Sequence, residues 1–158
     1  MLEHQRQTGI VPGFAGGEAI TNDDLLELEC EVLVPAAIGN VLTADNAPKL
    51  RTKLVVEAAN HPSPPEADDI LAERGIRVMP DILVNAGGVI VSYFEWTQNL
   101  QEFRWEESRV NEELLKIMDR GYQAVREMAA SQSITHRQAA FRIGAERVAR
   151  AVELRGFV

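Results

Sequence analysis

Three short apolar runs, set apart by helical stretches, constrain this chain more than anything else in it. EVLVP (31–35), KLVVEAAN (53–60) and IRVMP (76–80) each have the length of a buried strand rather than of a helix. Between the second and third lies SPPEADDILAERG (63–75), which carries the start and stop signals of a helix. Ser63 reads as its cap, Pro64 as its first residue, and Glu66 as the partner that completes a Ser-x-x-Glu capping box. Gly75 reads as the left-handed stop. Strands joined through a helical crossover pair in parallel, so residues 21–84 predict an α/β sheet. Upstream, Thr21 or Asn22 caps a short helix, DDLLELEC, whose acidic first turn suits the positive end of the helix dipole. DILVN (81–85), following Pro80, reads as a short extended run.

From residue 88 onward the pattern is helical. Within 107–130, Val110, Leu114, Ile117, Tyr122, Val125 and Met128 follow the three-to-four spacing of a buried face. Thr135 caps a last helix with a narrower stripe of Ala139, Ile143, Val148, Ala151 and Val152, and Gly156 ends it. The expected fold is therefore α/β, a partial Rossmann-like, doubly wound parallel sheet followed by C-terminal helices. It divides into a sheet-bearing part, residues 1–88, and a helical part, 89–158.

Composition narrows the function classes. An apolar fraction of 46% with 25% charged residues is the profile of a water-soluble globular protein. Sixteen Lys and Arg against 24 Asp and Glu leave a net charge of −8, which argues against a nucleic-acid partner. No apolar run reaches the length of a membrane span, and MLEHQRQTGI has no signal-like apolar core. Cytoplasm is the expected compartment. Cys30 has no second cysteine to pair with and reads as a small core residue. His4, His61 and His136 fall at no metal-ligand spacing, so no metal site is expected. The Glu106-Glu107 pair reads as a solvated helix start.

The chain also reads as part of something larger. Its strands are too few for a complete sheet, and GIVPGFAGG resembles the middle of a domain rather than its beginning. No G-x-G-x-x-G occurs, since GFAGG has the wrong spacing and no strand before it. If the parent strand order is 3-2-1-4-5-6, the three runs form a contiguous block, with a further short strand near GGEAI cut off from it. The inner edge of EVLVP is then bare. It is expected either to recruit another copy or to be covered by the N-terminal segment.

Ligands of open parallel sheets bind outside the carboxyl ends of the strands. Three such ends carry small or amide-bearing residues: PAAIGN (35–40), EAANHP (57–62) and NAGG (85–88). Taken singly, each is better read as a turn or a tight packing contact. Together, at consecutive strand ends, they favour a site for a flat polar heterocycle. A helix starting near Gly88 aims its free N–H groups into the same rim, with Val89, Ser92 and Trp96 on one face. The Ser92 hydroxyl there suits a carboxylate. On pattern alone, a bond from Ser92 back to a carbonyl of the preceding turn is an equal reading.

NAGGVIVSYFEWTQN, EAANHPSPPEADDIL, VMPDILVNAGG and VLVPAA together resemble the C-terminal part of the glutamate dehydrogenases, within the glutamate/leucine/phenylalanine/valine dehydrogenase family. The likeness runs from about residue 8 to the end, and it implies that residues 1–88 are the C-terminal portion of a dinucleotide-binding domain and 89–158 a helical region leading back toward a substrate domain. The resemblance implies NAD or NADP as cofactor, L-glutamate and 2-oxoglutarate as substrates, and a homo-oligomer, hexameric in the full-length proteins. It implies that Ala36 and Ala37 lie beside the cofactor, Asn60 near the nicotinamide ribose and Asn85 near the carboxamide. Ser92 matches the serine that binds the substrate's side-chain carboxylate, and Val89 lines the same pocket. No acid–base residue is carried over, so the chain by itself is expected to be inactive. The SYFEW segment speaks against the branched-chain dehydrogenases. A non-catalytic binding or assembly module is the alternative of another class. Where the family has Glu-Gly-Ala-Asn-Gly-Pro, this chain has Glu57-Ala58-Ala59-Asn60-His61-Pro62, and the added bulk at 58 and 61 bears on how closely the backbone approaches a cofactor.

Overall fold

The computed structural model describes residues 1–156; the last two positions of the region expected over 89–158 lie outside the described residues. Its centre is a parallel sheet of three strands, β1 (Val32–Leu33), β2 (Leu54–Val56) and β3 (Arg77–Met79), in the order β1-β2-β3. Val32 pairs with Leu54, and Val55 of the central strand with both Leu33 and Val78. The α/β fold and the contiguous block of strands are as expected. The regular strand segments are shorter than the apolar runs that announced them.

Helix α3 (Pro65–Glu73) makes the crossover from β2 to β3. Ala67 and Leu71, one turn apart, turn inward with Leu42, Leu50 and Val55, and all five are fully buried. Burying a leucine of this kind contributes about 1.5–3 kcal/mol. Gly75 takes the left-handed conformation (φ 71°) and Ile76 continues into β3, as read from the sequence. The start of α3 differs. Pro64, not Ser63, is the cap (φ −66°, ψ 164°), and no side-chain cap bond forms. The cause is Pro65, which forces the residue before it into extended backbone, so Pro64 is excluded from the helix. Ser63 is displaced from the cap position, and its hydroxyl is buried without a hydrogen-bond partner.

DILVN is also not extended. Residues Asp81–Val84 form a helical turn, α4, which passes through Asn85 into α5 (Ala86–Gln101). Leu83 N and Val84 N both donate to Pro80 O, and the free Asp81 N at the start of the turn donates to the carboxylate of Glu57 at 3.0 Å. A partner distant in sequence thus overrides the β-branched local pattern.

At the N-terminus, α1 (Leu2–Thr8) and α2 (Asn22–Leu26) flank a turn-rich segment. Thr21 caps α2 in a reciprocal capping box with Asp24. No strand forms near GGEAI, and the N-terminal segment does not pair with β1; Val32 in that strand and Val34 just after it remain exposed.

Helices α6 (Glu107–Gln132) and α7 (His136–Arg155) form an antiparallel pair joined at Ser133, whose φ of 52° lets the chain reverse. Thr135 caps α7 with Gln138 as its reciprocal partner, and Gly156 ends it in the left-handed region. Val125, Ala129, Ala139 and Ala140 make a second, smaller core, with Leu83 and Ile143 beside it. Two members of the expected α6 stripe lie outside that face: Ile117 is 39% exposed and Tyr122 37%. Small residues let the helices approach along a narrower line, leaving the flanks of the stripe in solvent. In α7, Val148, Ala151 and Val152 are likewise exposed.

Candidate functional site

The carboxyl ends of the three strands converge on one rim. Pro35 O accepts hydrogen bonds from Ala58 N (3.0 Å) and Ala59 N (2.9 Å), which ties the segment after β1 to the segment after β2. Asn40 N donates to His61 O at 2.9 Å and Leu42 N to Pro62 O at 3.0 Å. The approach at Gly39 requires glycine: a Cβ there would lie 2.9 Å from Asn60 O and 3.1 Å from His61 O. His61, at a position where the resembled family carries glycine, takes a positive φ of 49°. That conformation costs an L-residue about 1–2 kcal/mol. A 2.7 Å bond from its N–H to Asp81 Oδ2 opposes the cost.

On this rim the two predicted asparagines meet. Asn85 Nδ2 donates to Asn60 Oδ1 at 2.6 Å. Asn60 comes from the end of β2, while Asn85 stands between α4 and α5, beyond the end of β3. Ala36 and Ala37 lie at the end of β1 and line, with Leu33, Val34 and Val41, an apolar cavity of about 460 Å³. Two of the predicted residues are therefore in direct contact, and two line a cavity shared with Leu25 and Leu26 of the α2 helix, which neither asparagine lines. Val89 and Ser92 sit further along α5 and are exposed, Val89 at 69%. At 1.5 Å per residue, Ser92 lies roughly 10 Å along the helix from Asn85. Among the described residues the Ser92 hydroxyl makes no bond back to the preceding turn, whereas Thr97 does, to Tyr93 O at 2.9 Å. Trp96, on the same face as Val89 and Ser92, is 56% exposed.

Beneath the rim lies an ionic cluster that reasoning from sequence did not single out. Glu57, at the end of β2, is fully buried, and its Oε1 accepts from Arg137 Nη2 of α7 at 2.7 Å. Arg137 Nη1 reaches Asp81 Oδ1 at 3.4 Å. Asp68 Oδ2 of α3 lies 3.0 Å from Nε but off the N–H direction, so that contact is one of charge rather than a hydrogen bond. Burial pushes the Asp68 carboxyl above its ordinary value of 3.8, and the attraction of Arg137 offsets this only in part. Burial likewise opposes the charge on Arg137, but its bonds to Glu57 and the nearby Asp68 outweigh that and raise its pKa. His136 beside it is lowered, first by burial and then by the charge of Arg77. A single signal was available: Glu57 ends an apolar strand run, and a buried carboxylate needs a partner. That partner is 80 residues away and leaves no local trace.

A family model described as Glutamate/Leucine/Phenylalanine/Valine dehydrogenase matches residues 1–156. The chain is 45% identical over 156 residues to a glutamate dehydrogenase of Thermotoga maritima, covering 99% of this chain and 38% of that protein's length. Among solved structures, it is similar to the hetero-hexameric glutamate dehydrogenase of Thermus thermophilus in its leucine-bound form. There the TM-score is 0.90 at 34% identity, covering 99% of this chain and 37% of the other. It is also similar to the glutamate dehydrogenase of Peptoniphilus asaccharolyticus, with a TM-score of 0.74 at 42% identity over 79% of this chain and 32% of that one.

Proposed function

Because the chain belongs to the glutamate/leucine/phenylalanine/valine dehydrogenase family, we propose that it supplies cofactor contacts and one substrate contact to an NAD(P)-dependent glutamate dehydrogenase. The reaction converts L-glutamate, water and NAD(P)⁺ into 2-oxoglutarate, ammonium, NAD(P)H and a proton. In this reading residues 1–88 belong to the dinucleotide-binding part, and 89–158 lead back toward a substrate domain. The observation that carries it is the 2.6 Å bond between Asn85 and Asn60 at the shared rim. That bond uses one group of each amide, leaving the Asn60 NH₂ as donor and the Asn85 carbonyl as acceptor. A nicotinamide carboxamide and the ribose hydroxyls beside it need that combination. The small side chains of Ala36 and Ala37 leave room for a flat ring.

When bound, the nicotinamide supplies a hydride acceptor. The residues of this chain hold and orient. Asn60 holds the ribose beside the ring and Asn85 its carboxamide, so that one face is presented to the substrate's α-carbon. Ser92 donates its hydroxyl proton to the side-chain carboxylate of glutamate, and Val89 packs against the methylenes. Neither residue moves a proton at the reacting carbon. The 158-residue chain therefore turns over no glutamate on its own. A homo-oligomeric assembly in the cytoplasm belongs to the same reading; among the described residues no helix is long and apolar enough to cross a membrane.

The test is a titration of NADH, followed by its fluorescence, against a chimera in which the N-terminal portion of the Thermotoga maritima relative precedes this chain. Loss of one neutral hydrogen-bonding amide in Asn85→Ala should weaken binding about three- to tenfold. An unchanged affinity would remove the asparagine pair from the cofactor site and favour the non-catalytic alternative.

A further inference from the structure

Arg137 faces three carboxylates: the contact with Asp68 stays on α3, while those with Glu57 and Asp81 lead toward the asparagine pair. Its Nη2 holds Glu57 Oε1 at 2.7 Å, while Glu57 Oε2 accepts the backbone N–H of Asp81 at 3.0 Å. Asp81 in turn takes Arg137 Nη1 on Oδ1 at 3.4 Å and the backbone N–H of His61 on Oδ2 at 2.7 Å. His61 follows Asn60 directly. Asp81 opens the helical turn that ends at Asn85, and Asn85 N donates to Asp81 O at 3.0 Å. One guanidinium thus anchors both segments that carry the pair. We propose that Arg137 is a positioning residue: by holding Glu57 and Asp81, it sets the separation and orientation of Asn60 and Asn85, and so couples the first turn of α7 to the cofactor rim.

The physics favours a guanidinium here. Glu57 is fully buried, so its charge needs a partner held in fixed geometry. A planar fork reaches separate carboxylates with separate N–H groups, which the point charge of a lysine does not match. Asp81 then transmits the placement by backbone bonds, including the one at His61, whose positive φ depends on an external restraint. A purely structural clamp would need none of these links to reach the asparagines.

The significance for nicotinamide rests on the function proposed above, but the positioning itself is testable without it. The side-chain amide resonances of Asn60 and Asn85 in the ¹⁵N-labelled 158-residue chain report directly on their mutual bond, and an NADH titration of the chimera carrying the same substitutions reads the cofactor. In Arg137→Met, the Asn85 amide should move toward the shift of a solvated asparagine. Arg137→Lys should restore part of that change. Arg142→Met, which removes an exposed contact to Glu146, should leave it unmoved. NADH affinity should fall about three- to tenfold in Arg137→Met, in step with the amide shift. If Arg137→Met does not fold, Asp81→Asn decides, since it keeps an acceptor for His61 while removing the charge that faces Arg137. Unchanged Asn85 resonances in a folded variant would overturn the proposal, even if NADH binding weakened. A moved resonance with no NADH binding by the chimera carrying the wild-type sequence would uphold the positioning role and reject the cofactor reading.

Discussion

The sheet region and the helical region solve the problem of burial differently. Around β2, Leu42, Leu50, Val55 and Leu71 are sealed completely, and the crossover helix α3 covers one face of the strands with well-spaced apolar residues. The α6–α7 pair has a core of one valine and three alanines, Val125, Ala129, Ala139 and Ala140. Tyr93, Trp96, Leu100 and Leu115 lie open to solvent on α5 and α6, as do Val148 and Leu154 on α7. Small residues bury little area each, so this pair gains less from packing per residue than the sheet does. It is joined to the sheet instead by charge, through Arg137. Stability therefore resides in the sheet region, and the helical region offers surface.

The largest effect expected from that contrast is on association. Among the described residues β1 pairs only with β2, and Val32 in it and Val34 just after it are exposed, with no charge or bulge there to block pairing. The 158-residue chain should self-associate in light scattering after size exclusion, with slow amide exchange at 32–34. A monomer with fast exchange there would break the assignment of that edge. Next comes the sheet core. Leu71→Ala should cost about 2–5 kcal/mol in urea unfolding, whereas Val148→Ala on the exposed part of α7 should stay within about 0.5 kcal/mol. Equal losses would show that both regions share one core.

A smaller effect is expected with pH. His136, in the first turn of α7, is held below its ordinary value of 6.5 by burial and by Arg77. Its contribution to stability is thus fully present above pH 6.5 and is lost as pH falls through the depressed folded value. Asp68 works in the opposite sense: its raised folded value makes its contribution complete below 3.8 and lost as pH rises through that raised value. The urea midpoint should therefore decline on the acid side of pH 6.5, and His136→Gln should flatten that decline. Superimposable profiles would remove His136 from the account.

The features legible in the sequence were those whose physics is local or periodic. Thr21, Thr135, Gly75 and Gly156 mark helix ends through bonds and torsions within a few residues, and each does so in the fold. Asn60 and Asn85 were legible at one rim because ends of parallel strands must share it; their separate roles came from the family resemblance, and the bond between them left no sequence signal. Ser63 misled because the capping pattern ignores what Pro65 imposes on Pro64. DILVN misled because its helical turn is started by Glu57, which lies in another element. Arg137 left no sign at all, since a charged residue in the first turn of an amphipathic helix is ordinarily solvated.

In the proposed function, α5 presents a glutamate-binding wall beside the asparagine pair, and Ser92 is the residue that selects the substrate. The most direct test is kcat/KM for L-glutamate and for norvaline, which lacks the side-chain carboxylate, in the chimera carrying Ser92→Ala. Removing a hydrogen bond to a charged group should lower the value for glutamate about ten- to a hundredfold and leave norvaline nearly unchanged. An equal loss for both substrates would contradict the assignment of Ser92 and, with it, the substrate.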